Sequence, residues 1–227
     1  MRNIITFKGE NNLMHGVVVE KLPSIPAPVE RGESIAIPGR DGEVWRGEDA
    51  FEPVDIPVQI WVRPREDLAE VKNWLQGEGA LQIGRDINTW QARVSAGGTY
   101  IPCAFNDGWK NTITFTCEPF RYAPAPGIDI RNNGQVIRSV HPVASKPLIE
   151  VELTGDTVIN IGATEVELFG LTGVVWLDCD LMECYTAEGL ANDHMRGTFP
   201  RLEPGDNAVA WDSGVARMRI TPRWRLR

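Results

Sequence analysis

The chain has 227 residues, with 23 Lys+Arg against 31 Asp+Glu and a formal net charge of −8. That length fits one large or two small domains. The acidic balance argues against a protein whose main task is gripping nucleic-acid phosphates, because that takes clustered positive charge. Hydrophobic content of 42% and charged content of 24% exclude a disordered chain. No apolar run is long enough for a membrane-spanning helix. The opening MRNIITFKGENN lacks the apolar stretch of a secretion signal. The expectation is a chain that stays in the compartment where it is made, unless a larger assembly carries it out. With 22 Gly and 16 Pro, about one residue in six is a turn former, against a usual share of roughly 12%. Many turns and short strands are expected.

In chain order, Ser34–Ile37 is a short strand candidate, followed by the turn-forming run Pro38, Gly39, Arg40, Asp41 and Gly42. Pro38 fixes one φ, and the two glycines permit positive φ on either side of Arg40 and Asp41. A tight corner results. Its arginine and aspartate either pair with each other or a neighbouring subunit, or form a hairpin tip in water. Residues 54–62 alternate without a break: Val54, Ile56, Val58, Ile60 and Val62 on one side, Asp55, Pro57, Gln59 and Trp61 on the other. Period two over nine residues predicts a half-buried strand. Pro57 cannot donate to a ladder, so the strand should have a free edge or a bulge there. Asp67 to Gln76 reads as a helix, with Asp67 and Glu70 as a capping box, Leu68, Val71, Trp74 and Leu75 as the apolar stripe, and Gly77 as the stop. Trp90–Ser95 and Asn111–Cys117 are further strands, the second with Ile113, Phe115 and Cys117 inward.

The Pro-rich and turn-rich stretch 123–147 reads as a linker between domains 1–122 and 148–227. Alternation then resumes at Ile149, Val151 and Leu153, at Val166 and Leu168, and at Ala216, Met218 and Ile220. Turn signals separate these runs at the spacing of an all-β sandwich. Gly155-Asp156 reads as a hairpin turn between 149–153 and 157–161. The acidic outward faces of the early strands and the basic outward face of the last (Arg217, Arg219) are either paired across a sheet or simply solvated. In Phe199–Asn207, Phe199 and Leu202 anchor a loop, Pro200 and Pro204 stiffen it, and Gly205, Asp206 or Asn207 turns it back into the chain. The fold class read from these patterns is mainly β, in two domains, the first carrying one helix.

Residues that commonly carry chemistry are scattered. Cys103, Cys117, Cys179 and Cys184 form no C-x-x-C pair, and reduced thiols are the default reading for all four. Cys179, Cys184 and His194 can be imagined as metal ligands, but Cys179 ends the apolar run Val174–Leu177, where a small buried residue suffices. Asp178 and Asp180 could hold a hard cation, or end a strand and open a turn. His15 and His141 lie beside turn formers, with no obvious partner in the sequence. There is no G-x-S-x-G elbow, P-loop, H-E-x-x-H or dinucleotide-binding glycine run. No catalytic residue, cofactor or metal is therefore predicted.

The order of motifs resembles the distal tail proteins of siphophages, which form the ring joining tail tube to tail tip. The matching residues are Ile35-Ala36-Ile37 with Pro38-Gly39-Arg40-Asp41-Gly42, the strand 54–62, and the helix ending Asn73-Trp74-Leu75 followed by Ala80–Ile83. They continue with the exit Cys117–Tyr122, Asn132-Asn133-Gly134 with Ser145–Ile149, and Thr198–Asn207 as the family's FP-x-L-x-P-G-x-N signature. The resemblance implies an N-terminal β-sandwich-like ring domain and a C-terminal galectin-like sandwich. It implies a homo-oligomer, a hexameric ring, contacting the tail tube protein, the tape measure protein and tail-tip or receptor-binding proteins. DNA would pass through the lumen without specific binding, and nothing would insert in a membrane. Its place would be the virion tail tip, after assembly in the host cytoplasm. The candidate turn or interface residues are Pro38, Gly39, Arg40, Asp41, Gly42, Pro57, Phe199, Pro200, Leu202, Pro204, Gly205 and Asn207. There is no room for the extra carbohydrate-binding modules of larger relatives. Two other classes stay open. One is a carbohydrate-binding sandwich, with Trp109 as the exposed aromatic and Trp176 and Trp211 as core. The other is a cell-wall hydrolase, for which no paired-carboxylate or Cys-His constellation can be assembled.

Overall fold

The computed structural model describes residues 3–104 and 107–227. Val54–Val62 is a strand, and its five alternating apolar residues are all buried while Asp55, Pro57 and Gln59 are exposed. It pairs antiparallel along its whole length with Trp109–Tyr122, setting Ile113 opposite Val58 and Phe115 opposite Ile56. Across the sheet the order is Glu10–Asn11, Ile5–Phe7, Glu78–Ile83, Thr89–Ala96, Trp109–Tyr122, Val54–Val62, Val17–Val19. The sheet curls: the rings of Phe7 and Phe115, from strands three apart in that order, meet edge to face at 5.2 Å. The helix Leu68–Trp74 adds Val71, Trp74 and the following Leu75 to the same core.

The helix is shorter than the predicted 67–76 because its ends are caps. Asp67 stands outside it and accepts a hydrogen bond from the Ala69 N–H at 2.8 Å. Gly77, at φ +75, turns the chain away. Trp74 is fixed from two sides. Its indole N–H donates to the Phe7 carbonyl at 3.2 Å, and the His15 ring stacks on it at 4.4 Å.

Two compact units divide the chain, one running to Arg121 and taking in Arg227, the other spanning Tyr122–Leu226. The second unit is a β-sandwich. One sheet has the order Ile128–Ile130, Val215–Thr221, Leu148–Leu153, Gly173–Asp178, Glu183–Thr186, Gly189–Leu190. The other has Gln135–Ser139, Gly205–Trp211, Thr157–Ile161, Thr164–Leu168, Met195–Gly197. Ile149, Val151, Val175, Leu177, Met218 and Ile220 of the first sheet share a core with Ile159, Ile161, Val166, Leu168 and Val209 of the second.

Several expectations need correcting. The span 123–147, read as linker, contains Ile128–Ile130 and Gln135–Ser139, which are edge strands of the two sheets. Gly155-Asp156 is not a hairpin turn: the strands on either side of it belong to different sheets, so the chain crosses the sandwich there. Ala216 does not point inward. A bulge sets Glu152 opposite Arg217 but Leu153 opposite Val215, which leaves Ala216 exposed without a ladder partner. Trp176 is not core; it lies half-buried beside Glu150 and Tyr185 on the outer row of its sheet.

Candidate functional site

The predicted corner Pro38–Gly42 closes a two-stranded ribbon, Glu30–Ala36 against Glu43–Phe51, that forms a sheet of its own. Gly39 and Gly42 take φ +81 and +78, and the Arg40 N–H donates to the Ile37 carbonyl at 3.1 Å. All five corner residues are exposed. Both glycines have open space where a Cβ would stand, so their backbone conformation, not crowding, is what calls for glycine.

Pro57 lies opposite Thr114 in the Val54–Val62 ladder. On the other side Val17–Val19 covers only Ile60–Val62, with one further bond from the Glu20 N–H to the Gln59 carbonyl at 3.1 Å. Gln59 thus directs its backbone groups toward that side, and Pro57, two residues earlier, directs its own the same way. Its missing N–H therefore falls on the open edge, where no ladder bond is lost.

The loop Phe199–Asn207 is organised by Asn207, which is 1% exposed. Its Oδ1 accepts from the Glu203 N–H at 2.9 Å, and its Nδ2 donates to the carbonyls of Glu203 at 2.8 Å and Gly205 at 3.2 Å. One amide side chain thus satisfies the backbone groups of Glu203 and Gly205 where the loop turns between its paired positions. Leu202 is fully buried and bridges to Ser145 through paired backbone bonds of 3.0 and 2.9 Å. Pro200 is buried, Phe199 packs on the core, Gly205 is half-buried at φ +96 and Pro204 is exposed. The corner at 38–42 and this loop belong to different units.

A charged cluster that sequence reading took for a possible cation site is filled by arginines. Asp178, whose side chain is 7% exposed, receives both Arg223 Nη1 and Nη2, at 2.7 and 2.8 Å. It also accepts the backbone N–H groups of Asp180 and Leu181. Asp180 takes Arg225 at 2.7 Å and Lys146 at 3.1 Å. Burial pushes the Asp178 carboxyl up, but the Arg223 guanidinium and the two backbone donors outweigh it and hold it below the ordinary carboxylate value. Nothing in the sequence marks residues 45 positions apart as partners.

Three of the four thiols, Cys117, Cys179 and Cys184, are buried in the two cores. Burial pushes Cys117 and Cys179 up to about 12 and Cys184 up to about 11, so none of these three is a ready nucleophile at neutral pH. Among the described residues, no group of three or more His, Cys, Asp or Glu is placed to hold a metal ion. His15 has a partner after all, Glu10 at 2.9 Å. Trp109 is half-buried and lines an open depression of about 520 Å³ with Leu68, Leu75 and Tyr100. Among the described residues, no helix is long and apolar enough to cross a membrane. The outward charges of the second unit do pair: Arg217 reaches Glu150 at 3.1 Å and Glu152 at 3.8 Å, and Arg196 reaches Glu167 at 3.4 Å.

What these features define is a β scaffold in which Asp178 and Asp180, the candidate cation ligands, are tied into its own structure. Comparison with solved structures places that scaffold. The SPP1 Dit protein, described as a paradigm of the hub adsorption apparatus of phages infecting Gram-positive bacteria, matches with a TM-score of 0.74 at 12% identity, over 99% of this chain and 100% of that one. A chain of the phage p2 baseplate, in its activated conformation with Sr, matches with a TM-score of 0.54 at 9% identity, over 96% and 97% of the two chains. The same baseplate with Ca gives 0.54 at 10% identity, over 97% of each. No family model matches the sequence, and no curated protein matches it in sequence. The fold of this chain is that of the phage Dit hub proteins.

Proposed function

We propose that the chain is a structural component of a phage tail tip: a hub ring, built from six copies, that joins the tail tube to the tip or receptor-binding apparatus. The lumen would leave a channel for the tape measure protein and then for DNA. The observation that carries this reading is the extent of the fold match, 99% of this chain against 100% of SPP1 Dit, with both units included. The candidate residues fit a scaffold. Gly39, Gly42 and Gly205 shape turns, Asn207 and Leu202 lock a loop, and Pro57 marks an open sheet edge. A contact that is not self-complementary closes into a ring when its rotation is right, and exposed strand edges supply material for such contacts. Native mass spectrometry and negative-stain imaging of the purified protein test the reading. A closed particle of six copies is expected, and a monomer at every concentration would overturn it.

One observation favours a second reading, a carbohydrate-binding sheet face. Trp176 and Tyr185 stack at 5.5 Å on the outer row, and Trp176 Nε1 donates to Glu150 at 3.3 Å. Aromatic faces flanked by carboxylates suit sugar rings, and glycan-array binding lost in Trp176→Ala would favour it. The two rings already cover one face of each other, so the hub reading stands first.

A further inference from the structure

The chain has a single Asn-Gly pair, Asn133-Gly134. Asparagine is among the thermolabile residues, and it is most labile before glycine. The Gly134 main-chain nitrogen, once it has lost its proton to base, attacks Cγ of Asn133. A C–N bond forms, the bond from Cγ to Nδ2 breaks, and ammonia leaves. Water then opens the five-membered imide at either carbonyl and leaves aspartate or isoaspartate. Glycine has no side chain to hinder the approach. The reaction needs access to water, a free Gly134 nitrogen and an Asn133 side chain able to swing onto it. Water is available: both residues are exposed, and a Cβ on Gly134 would meet nothing within 4 Å. The other two conditions are withheld by hydrogen bonds.

The Gln135 N–H donates to the Asn132 carbonyl at 3.1 Å, so Asn133 and Gly134 are the central residues of a turn, with Gly134 at φ +86. The Gly134 N–H donates to the Val209 carbonyl at 2.8 Å, which keeps its proton in place. Asn133 Nδ2 donates to the Trp211 carbonyl at 2.6 Å, and its Oδ1 accepts from the Trp211 N–H at 3.1 Å. The register explains this clasp. Gln135 lies opposite Val209 and Val136 opposite Ala208, so two residues further back Asn133 stands level with Trp211. The side chain supplies both bonds of a ladder pair there. The clasp holds only while its strand is docked. Gln135–Ser139 is an edge strand, paired on one side alone and burying Ile137 and Ser139. Edges open more readily than cores. We infer that Asn133 is a deamidation site gated by this strand, shut while the strand is docked and open when it peels away. The product works against redocking. An aspartate carboxylate has no proton to give the Trp211 carbonyl, and isoaspartate lengthens the main chain by one carbon and puts the clasp out of step. The inference stands apart from the hub reading. On that reading it gains weight, because a released particle makes no replacement chains.

The test incubates the wild-type chain in warm, mildly alkaline buffer and follows Asn133 by peptide mass spectrometry. The folded protein should deamidate there at least roughly 10-fold more slowly than the chain unfolded in urea. Equal rates overturn the inference. Between no urea and about 2 M urea, short of unfolding, the folded rate should stay flat, since a local opening exposes little surface. A steep rise with urea would make global unfolding the gate and overturn the inference too. The second arm is Asn133→Asp, which imitates the product, with hydrogen exchange read strand by strand at neutral pH. Exchange across Gln135–Ser139 should quicken roughly 10-fold, while Leu148–Leu153 and Gly173–Asp178 in the opposite sheet keep wild-type protection. A variant as protected as wild type would show that the amide does not hold the strand. A variant that loosens the whole unit would show that the clasp is not a local gate. Either result defeats the inference.

Discussion

At the scale of single residues, Asp178 shows how a charge becomes structural. Its carboxylate is nearly out of water, and it is stabilised by a two-pronged guanidinium and two backbone donors. Asp178→Asn keeps the shape and the turn-forming oxygen but removes the charge. The second unit should lose about 2 kcal/mol at neutral pH, the worth of a hydrogen bond to a charged group. The sign of the pH dependence follows from the lowered carboxyl. The unfolded chain takes up a proton near the ordinary value of 3.8, the folded one only lower. The contribution is therefore complete well above 3.8 and is lost as pH falls from there through the folded value. Denaturant titrations of wild type and variant from about pH 6 to about pH 3 should converge. A gap of constant size across that range would show that Asp178 is not held as an anion. The sequence displayed both aspartates but not their partners, because Arg223 and Arg225 reach them only after the last strand has brought the chain end back.

At the scale of elements, what the sequence revealed tracks how local the cause is. The strand Val54–Val62 was legible because its period of two is written in consecutive residues, and the helix because its cap, stripe and glycine stop lie within eleven positions. The crossing at Gly155-Asp156 was not, since a Gly-Asp turn reads alike whether the next strand pairs beside the last or moves to the opposite sheet. The bulge at Ala216 hid for a related reason: an extra residue shifts every later side chain, and only the ladder shows where it enters. The strands inside 123–147 are three and five residues long, too short for alternation to outweigh their prolines and glycines. Of the candidate residues, Pro57 had its place narrowed by chemistry to an edge or a bulge, since those are where a strand tolerates a missing donor, and the ladder decides for the edge. Pro57→Ala restores an N–H on the open side of the ladder, where water can take it. Stability should change by less than about 1 kcal/mol, read from chemical denaturation. A loss of several kcal/mol would mean that the ring, rather than the edge, is what that position requires. If Pro57 also keeps that edge from pairing with other chains, the variant should aggregate more readily than wild type on concentration.

At the scale of the whole molecule, the two units differ in how they handle their surfaces. The sandwich pairs its outward charges across its own strands, as Arg217 does with Glu150 and Glu152. The first unit leaves arginines exposed on its body and carboxylates on its ribbon. In an assembly that consumed the unit's cations in contacts between copies, the surfaces left over would be acidic. At −8 per copy, a ring of six would carry a formal −48. We propose that part of this charge lines the channel. A phosphate backbone meeting carboxylates is repelled and finds no counterions to release, so it slides, whereas arginines in the wall would hold it. The assembled protein should therefore fail to retain double-stranded DNA even at about 20 mM salt, where electrostatic binding is strongest. A gel-shift series run from that salt upward reads the outcome directly. Retention that fades steeply as salt rises would reveal a cationic wall and defeat the proposal. Exposed Arg63, Arg65, Arg85 and Arg93 would then be the residues to substitute first, because burying them between copies is what the acidic channel requires.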